Sequence, residues 1–355
     1  MFYRQAGQFR TSYASDARLI PFREDRFVLI AILIFAFAAV PNFASDYWLS
    51  AILIPWLCMS LVALGQNILM GYAGQLSLGS AGFMAAGAFA CYNLILRVDG
   101  IPFVVAVMLS GVIAALVGIV FGLPSLRIRG LYLAVATLAS QFFIVWVIDK
   151  FGWFKNYDSS GIITAQDIVI FGKSFTSPAE MYLVVLVIVA VLTLLAMNMA
   201  KGSIGRNWMA VRDMDVAAEV MGLSLLRTKL QAFAISSFYC GVGGALFAYA
   251  YLQSVEPAAF DINLSFRILF MAIIGGLGTI IGAYLGAAFI LLLPVFLNIT
   301  FHAVLGDSVD ATLISAFEQV IFGVMMIVFM IYEPLGLARL LELAQERLRL
   351  WPFKR

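Results

Sequence analysis

The sequence predicts an all-α, polytopic membrane protein, a bundle of about ten transmembrane helices with both termini on the cytoplasmic side. Composition is the first reason. The 355 residues are 63% hydrophobic and 12% charged, with a mean hydropathy of +1.00, far more apolar than a water-soluble domain. Repetition is the second, because apolar runs recur near the ~20 residues needed to cross a bilayer. Charge placement is the third. On this topology, cytoplasmic segments hold 17 of the 22 basic residues: five in the N-terminal tail, Arg127 and Arg129, five in 201–229, and Arg339, Arg347, Arg349, Lys354 and Arg355. Outside segments hold only Arg97, Lys150, Lys155 and Lys173, leaving Arg267 within a span. The asymmetry fits the positive-inside rule and would collapse if an early span were missed.

Residues 1–26 are polar and aromatic with five arginines, and no apolar core precedes residue 27, so they read as a cytoplasmic tail rather than a cleaved leader. The transmembrane domain covers 27–333. Its first run, Phe27–Val40, crosses thinly with Pro41 to Ala44 included. The further spans are Trp48–Met70, Ser77–Leu96, Ile101–Leu123, Leu131–Ile148, Ala179–Met199, Leu230–Leu252, Leu264–Ile281, Gly282–Phe301 and Thr312–Tyr332. Only a glycine-rich turn separates the eighth from the ninth. The one sizeable outside segment, 149–178, reads as a small cap. Past the last span, 334–355 is a cytoplasmic tail in which Leu335–Trp351 carries leucines along one face, as a helix lying on the inner leaflet does. Spans 2–5 start from the outside and spans 7–10 from the inside, which allows an inverted repeat.

The longest charged island between apolar runs is Lys201–Lys229, with five basic and three acidic residues. Its middle predicts a short amphipathic helix, with Asp213 or Asp215 as N-cap and Gly222 closing the end in a left-handed conformation. Val211, Met214, Ala218 and Met221 would share one face, and Arg212, Asp213, Asp215 and Glu219 the other. Two readings are open here: a docking surface for a partner, or a helix resting on lipid headgroups.

Enzyme signals are nearly absent. The single histidine, His302, sits at the outer end of a span, where an interfacial position explains it. Gly172-Lys173-Ser174 imitates the end of a phosphate loop, but the motif's first glycine would fall on Asp167. The three cysteines lie inside apolar runs and form neither a disulfide framework nor a metal cluster. What remains is buried polarity and helix disruption. Gln66, Asn67, Gln75, Ser77 and Ser80 cluster with glycines across the second and third spans, Thr137, Ser140 and Gln141 lie in the fifth, and a second glycine cluster runs from Gly275 to Gly286. A helix break beside a cavity and close packing of small residues both fit this pattern. Arg267 either snorkels to the outer boundary, pairing with Asp261 or Glu256, or lines a solute path; Glu318 is a further possible partner. The candidate path residues are therefore Gln66, Asn67, Gln75, Ser77, Ser80, Thr137, Gln141 and Arg267.

At GQNILMGYAGQLSLGSAGFMAAGAFA (65–90), RGLYLAVATLAS (129–140), the stretch GRNWMAVRDMDVAAEVMGLSLLRTK and its continuation to 249, and MAIIGGLGTIIGAYLGA (271–287), the chain resembles a known family. It is similar to the M-type inner-membrane permease subunits of branched-chain amino-acid ABC importers, from about residue 48 to 333. The resemblance implies a multi-pass protein of the bacterial inner membrane that pairs with a second, H-type permease. It also implies two cytoplasmic ATPases, which bind ATP and Mg that this chain does not, and a periplasmic substrate-binding protein. Ala217, Ala218, Glu219 and Gly222 resemble the coupling motif of ABC import permeases, although the acid usually precedes the alanines. Arg212 and Asp213 match a basic–acidic pair of the family, and the resemblance assigns the segment a seat in a cleft of the ATPase. A self-sufficient secondary transporter or channel is the rival reading, and it would need buried carboxylates for ion coupling.

Overall fold

The computed structural model describes residues 23–125, 131–157, 163–165, 168–170, 173–175 and 177–305, scattered positions between 317 and 331, and 336–350. Residues 1–22, Arg127, Arg129, Glu318, the last five residues and most of the expected tenth span lie outside the described residues.

The protein is an all-α membrane bundle. Helix α1 (Arg23–Ile34) continues through a π turn to Phe43. It is followed by α2 (Trp48–Tyr72), α3 (Ser80–Arg97), α4 (Phe103–Ser125), α5 (Leu131–Lys150) and α6 (Pro178–Lys201). Two short helices, α7 (Ser203–Asp213) and α8 (Asp215–Val220), lead into the long α9 (Leu225–Leu252). Then come α10 (Ile262–Gly275), α11 (Ile280–Leu305) and α12 (Gly336–Leu350). Among the described residues six helices are long and apolar enough to cross a membrane: α2, α4, α5, α6, α9 and α11.

Burial separates centre from rim. The most apolar stretch of α9 is 83% buried and that of α2 67%, against 33–39% for α4, α5, α6 and α11. Helix α3 is also central, with 12 of its 18 residues buried, Asn93 among them. Small residues let these backbones approach closely: a side chain at Gly87 would run into the backbone of Gly241 on α9. The glycines serve packing at some positions and a helix break at others. Gly87 serves packing, whereas Gly71 to Gly79 mark a break.

Two long helices share one architecture. Helix α2 ends in a π turn at Ile68–Tyr72 and α9 in a π turn at Phe247–Leu252. Each is followed by an irregular segment, 73–79 or 253–261, and then by a helix that starts inside the bundle. At 14 residues α10 is about 21 Å long, short of the ~30 Å hydrocarbon core. The expected eighth span, Leu264–Ile281, therefore needs correction. Its helix stops at Gly275, because Gly276 turns the backbone at φ +120 and the turn 276–279 follows. The seventh begins at Leu225, five residues earlier than expected.

The described residues after α5 include short strands. β1 (Ile163–Thr164) pairs antiparallel with β4 (Ser254–Val255) after α9, and β2 (Ile168–Ile170) with β3 (Lys173–Phe175). The β1–β4 pair thereby ties the segment after α5 to the end of α9.

Candidate functional site

The charged segment folds as two helices rather than one. Met214 adopts an extended conformation (φ −151, ψ 93) between α7 and α8, and it, not Asp213 or Asp215, occupies the N-cap of α8. The Asp215 carboxylate instead accepts from the Val216 N–H at 2.9 Å, holding the first turn. Gly222 closes α8 as expected, at φ +88. Its N–H donates to Glu219 O at 2.9 Å and the Leu223 N–H to Ala218 O at 3.0 Å, the paired bonds of a Schellman motif.

The expected apolar face is split by the bend. Trp208, Val211 and Ala218 are buried against the bundle, whereas Met214 and Met221 point out. With Val216, Val220 and Leu226 they make an exposed apolar cluster, Val220 being 84% exposed. Ala217, Glu219 and Asp213 are exposed beside it. Exposed apolar side chains concentrated in a charged segment are the form that contact surfaces take.

Arg212 connects this surface to the bundle. Its Nε donates to Asp213 Oδ1 at 2.9 Å and its Nη1 to the Gly71 carbonyl at 2.6 Å, at the cytoplasmic end of α2. Its aliphatic stem lies against Gly74, where a Cβ would stand 2.7 Å from Arg212 Cγ. One turn up α2, fully buried Asn67 accepts from the Gly278 N–H at 2.8 Å and donates from Nδ2 to Thr279 O at 2.6 Å. Asn67 thus holds the turn between α10 and α11. Thr279 Oγ1 donates to Gly276 O at 2.9 Å, and the start of α12 packs on the same turn: a Cβ at Gly336 would stand 2.6 Å from Gly276 N. The two glycine clusters of the sequence meet here, and Arg212 joins them to α7 and α8.

A second junction lies deeper. Gln66 Nε2 donates to Ser77 O at 2.8 Å, and Ser80 Oγ donates to Gln66 Oε1 at 2.7 Å, pinning the irregular segment 73–79 against α2. Thr137 Oγ1 accepts from the Leu78 N–H at 2.9 Å. Gln141 Oε1 accepts from the Gly82 N–H, and its Nε2 donates to Phe260 O at 2.9 Å. Ser265 Oγ accepts from the Ala81 N–H at 3.0 Å, so the first turns of α3 and α10 meet side on. Gln141 lies nine residues, about 14 Å, from the outer end of α5, close to mid-bilayer. Gln75 is 3% exposed, and neither amide atom finds a partner among the described residues.

Six of the eight candidate path residues therefore form interior junctions: Gln66, Ser77, Ser80, Thr137 and Gln141 in the deep one, Asn67 in the cytoplasmic one. Gln75 is buried near them. Arg267 is apart, exposed on α10 two residues past Ser265. Sequence reasoning placed it a few residues inside the outer boundary; it lies in the second turn of α10. Sequence reasoning missed Ser265, whose only signal is a small polar residue beside that arginine.

A bundle with broken helices at mid-depth, and a bent cytoplasmic surface wired to its helix ends, is the form of a multi-pass transport permease. The family model for the permease component of branched-chain amino acid transport systems matches residues 48–330, and the chain belongs to that family as a permease subunit of an ABC importer. It is 30% identical over 301 residues to the high-affinity branched-chain amino acid transport system permease protein LivM of Escherichia coli (strain K12), covering 78% of this chain and 67% of the relative. The probable branched-chain amino acid transport permease protein LivM of Methanocaldococcus jannaschii is 22% identical, covering 78% and 89%. The autoinducer 2 import system permease protein LsrC of Enterobacter sp. (strain 638) is 27% identical, covering 65% and 64%. No solved structure matches the chain.

Proposed function

We propose that this permease passes branched-chain amino acids, or similar small polar solutes, inward across the bacterial inner membrane as one half of a permease pair. In this reading an H-type second permease completes the path. Two cytoplasmic ATPases, which bind ATP and Mg, seat on the α7–α8 surface, and a periplasmic binding protein delivers the solute. Residues 1–26 and 334–355 are cytoplasmic tails around a domain of ten spans, with 201–229 as coupling segment and 149–178 as outside cap. The recurrence of long helix, π turn, irregular segment and inward-starting helix in α2–α3 and α9–α10, which run in opposite directions, supports an inverted repeat.

The observation that carries the reading is the continuous polar route from α7 to the transmembrane helix ends. An ATPase moving the Met214–Leu226 surface pulls on Arg212, which holds Gly71 of α2. Asn67, one turn away, holds the α10–α11 turn. Arg212, Asp213, Ala217, Ala218, Glu219 and Gly222 are the coupling residues. Arg267, exposed on α10, faces the second permease or the water of the path, since a charge turned to lipid at mid-bilayer costs about 2.5–3.5 kcal/mol on insertion scales. Uptake of labelled leucine into proteoliposomes tests the proposal. Uptake that requires ATP, both permeases, the ATPases and the loaded binding protein supports it; uptake by this chain alone, driven by an ion gradient, overturns it.

A further inference from the structure

Between α3, α4 and α5 lies a cavity of about 570 Å³ that the transport route does not use. Its walls are Ala86, Phe89 and Ala90 of α3, Ile113, Val117 and Phe121 of α4, and Phe143, Ile144 and Val147 of α5, all apolar. Polar groups occur only toward its outer end, at Asn93 and Arg97. From Ala86 to Arg97 is eleven residues, about 16 Å of helix, which is the depth of one leaflet's hydrocarbon.

The outer end is built. The Arg97 guanidinium lies 3.6 Å from the centre of the Trp153 ring and donates to the Trp153 carbonyl at 2.8 Å, which fixes the cation at the rim. Asn93 Nδ2 donates to Phe89 O at 2.8 Å and to Phe154 O at 3.1 Å, tying the 151–154 turn over the opening. Its Oδ1, in a residue 7% exposed, has no partner among the described residues. Lys150 and Lys155, the latter paired with Asp149 at 2.7 Å, follow on the same end of α5. Three of the four basic residues of the outside segments thus gather where this cavity meets the outer interface.

We propose that this cavity is a binding site for one phospholipid of the outer leaflet, with an acyl chain between α4 and α5 and its phosphate at Arg97. The chemistry favours this occupant over a transported solute. A zwitterion would have to leave its ammonium and carboxylate among phenylalanines and valines, whereas a lipid divides itself as the cavity does: apolar for one leaflet's depth, anionic at the rim. The site is independent of the transport reading, and its test reads lipid contact rather than uptake.

The permease, in the pair it natively forms, is reconstituted with a phospholipid bearing a photoreactive diazirine in one acyl chain, and the labelled peptides are mapped. Labelling of Val117, Phe121 and Phe143 should exceed that of the plain lipid-facing surface of α6 (Val187, Val191, Leu194) by about fivefold. Val117→Trp, which obstructs the cavity between α4 and α5, should bring it down toward the α6 level. Arg97→Gln, which leaves the cavity open but removes the cation, should lower it as well. Equal labelling of both surfaces, or undiminished labelling in Val117→Trp, overturns the proposal. So does disulfide capture of the second permease by Val117→Cys, which would make this face a subunit interface.

Discussion

Replacing Asn67 by leucine, close in size but without polar atoms, separates the coupling route from mere packing. Asn67 is fully buried and makes two short bonds to the turn, one from the Gly278 N–H at 2.8 Å and one to Thr279 O at 2.6 Å. Side-chain hydrogen bonds within membrane proteins contribute about 0.6 kcal/mol on average and at most about 1.7 kcal/mol. Losing both, with a backbone N–H left unpaired, should destabilise the turn by about 1–3 kcal/mol. If the turn transmits motion, that energy also leaves the coupling between the ATPase surface and α10–α11, and a loss of ~1.4 kcal/mol there is a factor of ~10. The assay is the ratio of ATP hydrolysed to solute taken up by the complete importer in proteoliposomes. Asn67→Leu should insert and assemble normally, hydrolyse ATP, and raise that ratio roughly tenfold. A variant that melts earlier yet keeps the wild-type ratio would refute the route and leave Asn67 a packing residue.

Gly222 has open space around its Cα, so only its φ of +88 opposes a side chain. Gly222→Val should cost about 1–2 kcal/mol, release the end of α8 and lower uptake, while Gly222→Asn, tolerant of this conformation, keeps most of it; equal uptake by both variants would remove the turn from the mechanism. Val220→Asp, at an 84% exposed position, should leave the stability of the purified permease unchanged and abolish co-purification of the ATPases. Retained co-purification would show that the apolar cluster is not the seat. Arg267→Leu should lower uptake with normal expression if α10 lines the path; unchanged transport kinetics would place Arg267 against lipid headgroups instead.

Much of the bundle was legible from hydropathy because lipid-facing helices such as α4, α6 and α11 must be apolar along their whole length. The misjudged limits fall where lipid does not do the selecting. Helix α10 is apolar from Ile268 onward and continuous in hydropathy with Ile280 and Ile281, so nothing in its polarity marks the stop; Gly276 sets it through backbone geometry. The bend at Met214 is invisible for the opposite reason. A periodic pattern persists across it, and a single extended residue rotates one half of the face out of register with the other. Gln66, Asn67 and Gln141 were readable as buried polar groups, but most of their partners are backbone atoms, up to 212 residues away, and no side-chain pattern encodes a bond to a carbonyl.

Those bonds also decide which part of the bundle moves. In the deep junction the irregular segment before α3 and the first turns of α3 and α10 find their partners in Gln66, Thr137, Gln141 and Ser265, near mid-bilayer where water does not replace a lost bond. Separating them would leave several unpaired backbone groups at once, each costing about 1–3 kcal/mol, so α3, α5 and the start of α10 shift as one body. The cytoplasmic junction has no such constraint. Its bonds run through one exposed arginine and one buried asparagine to glycine-rich turns, so opening it parts fewer groups at once. In the proposed coupling, motion delivered by α7 and α8 is taken up at Gly71–Gly74 and Gly276–Thr279, and reaches the deep junction as displacement of an intact unit rather than as its disassembly.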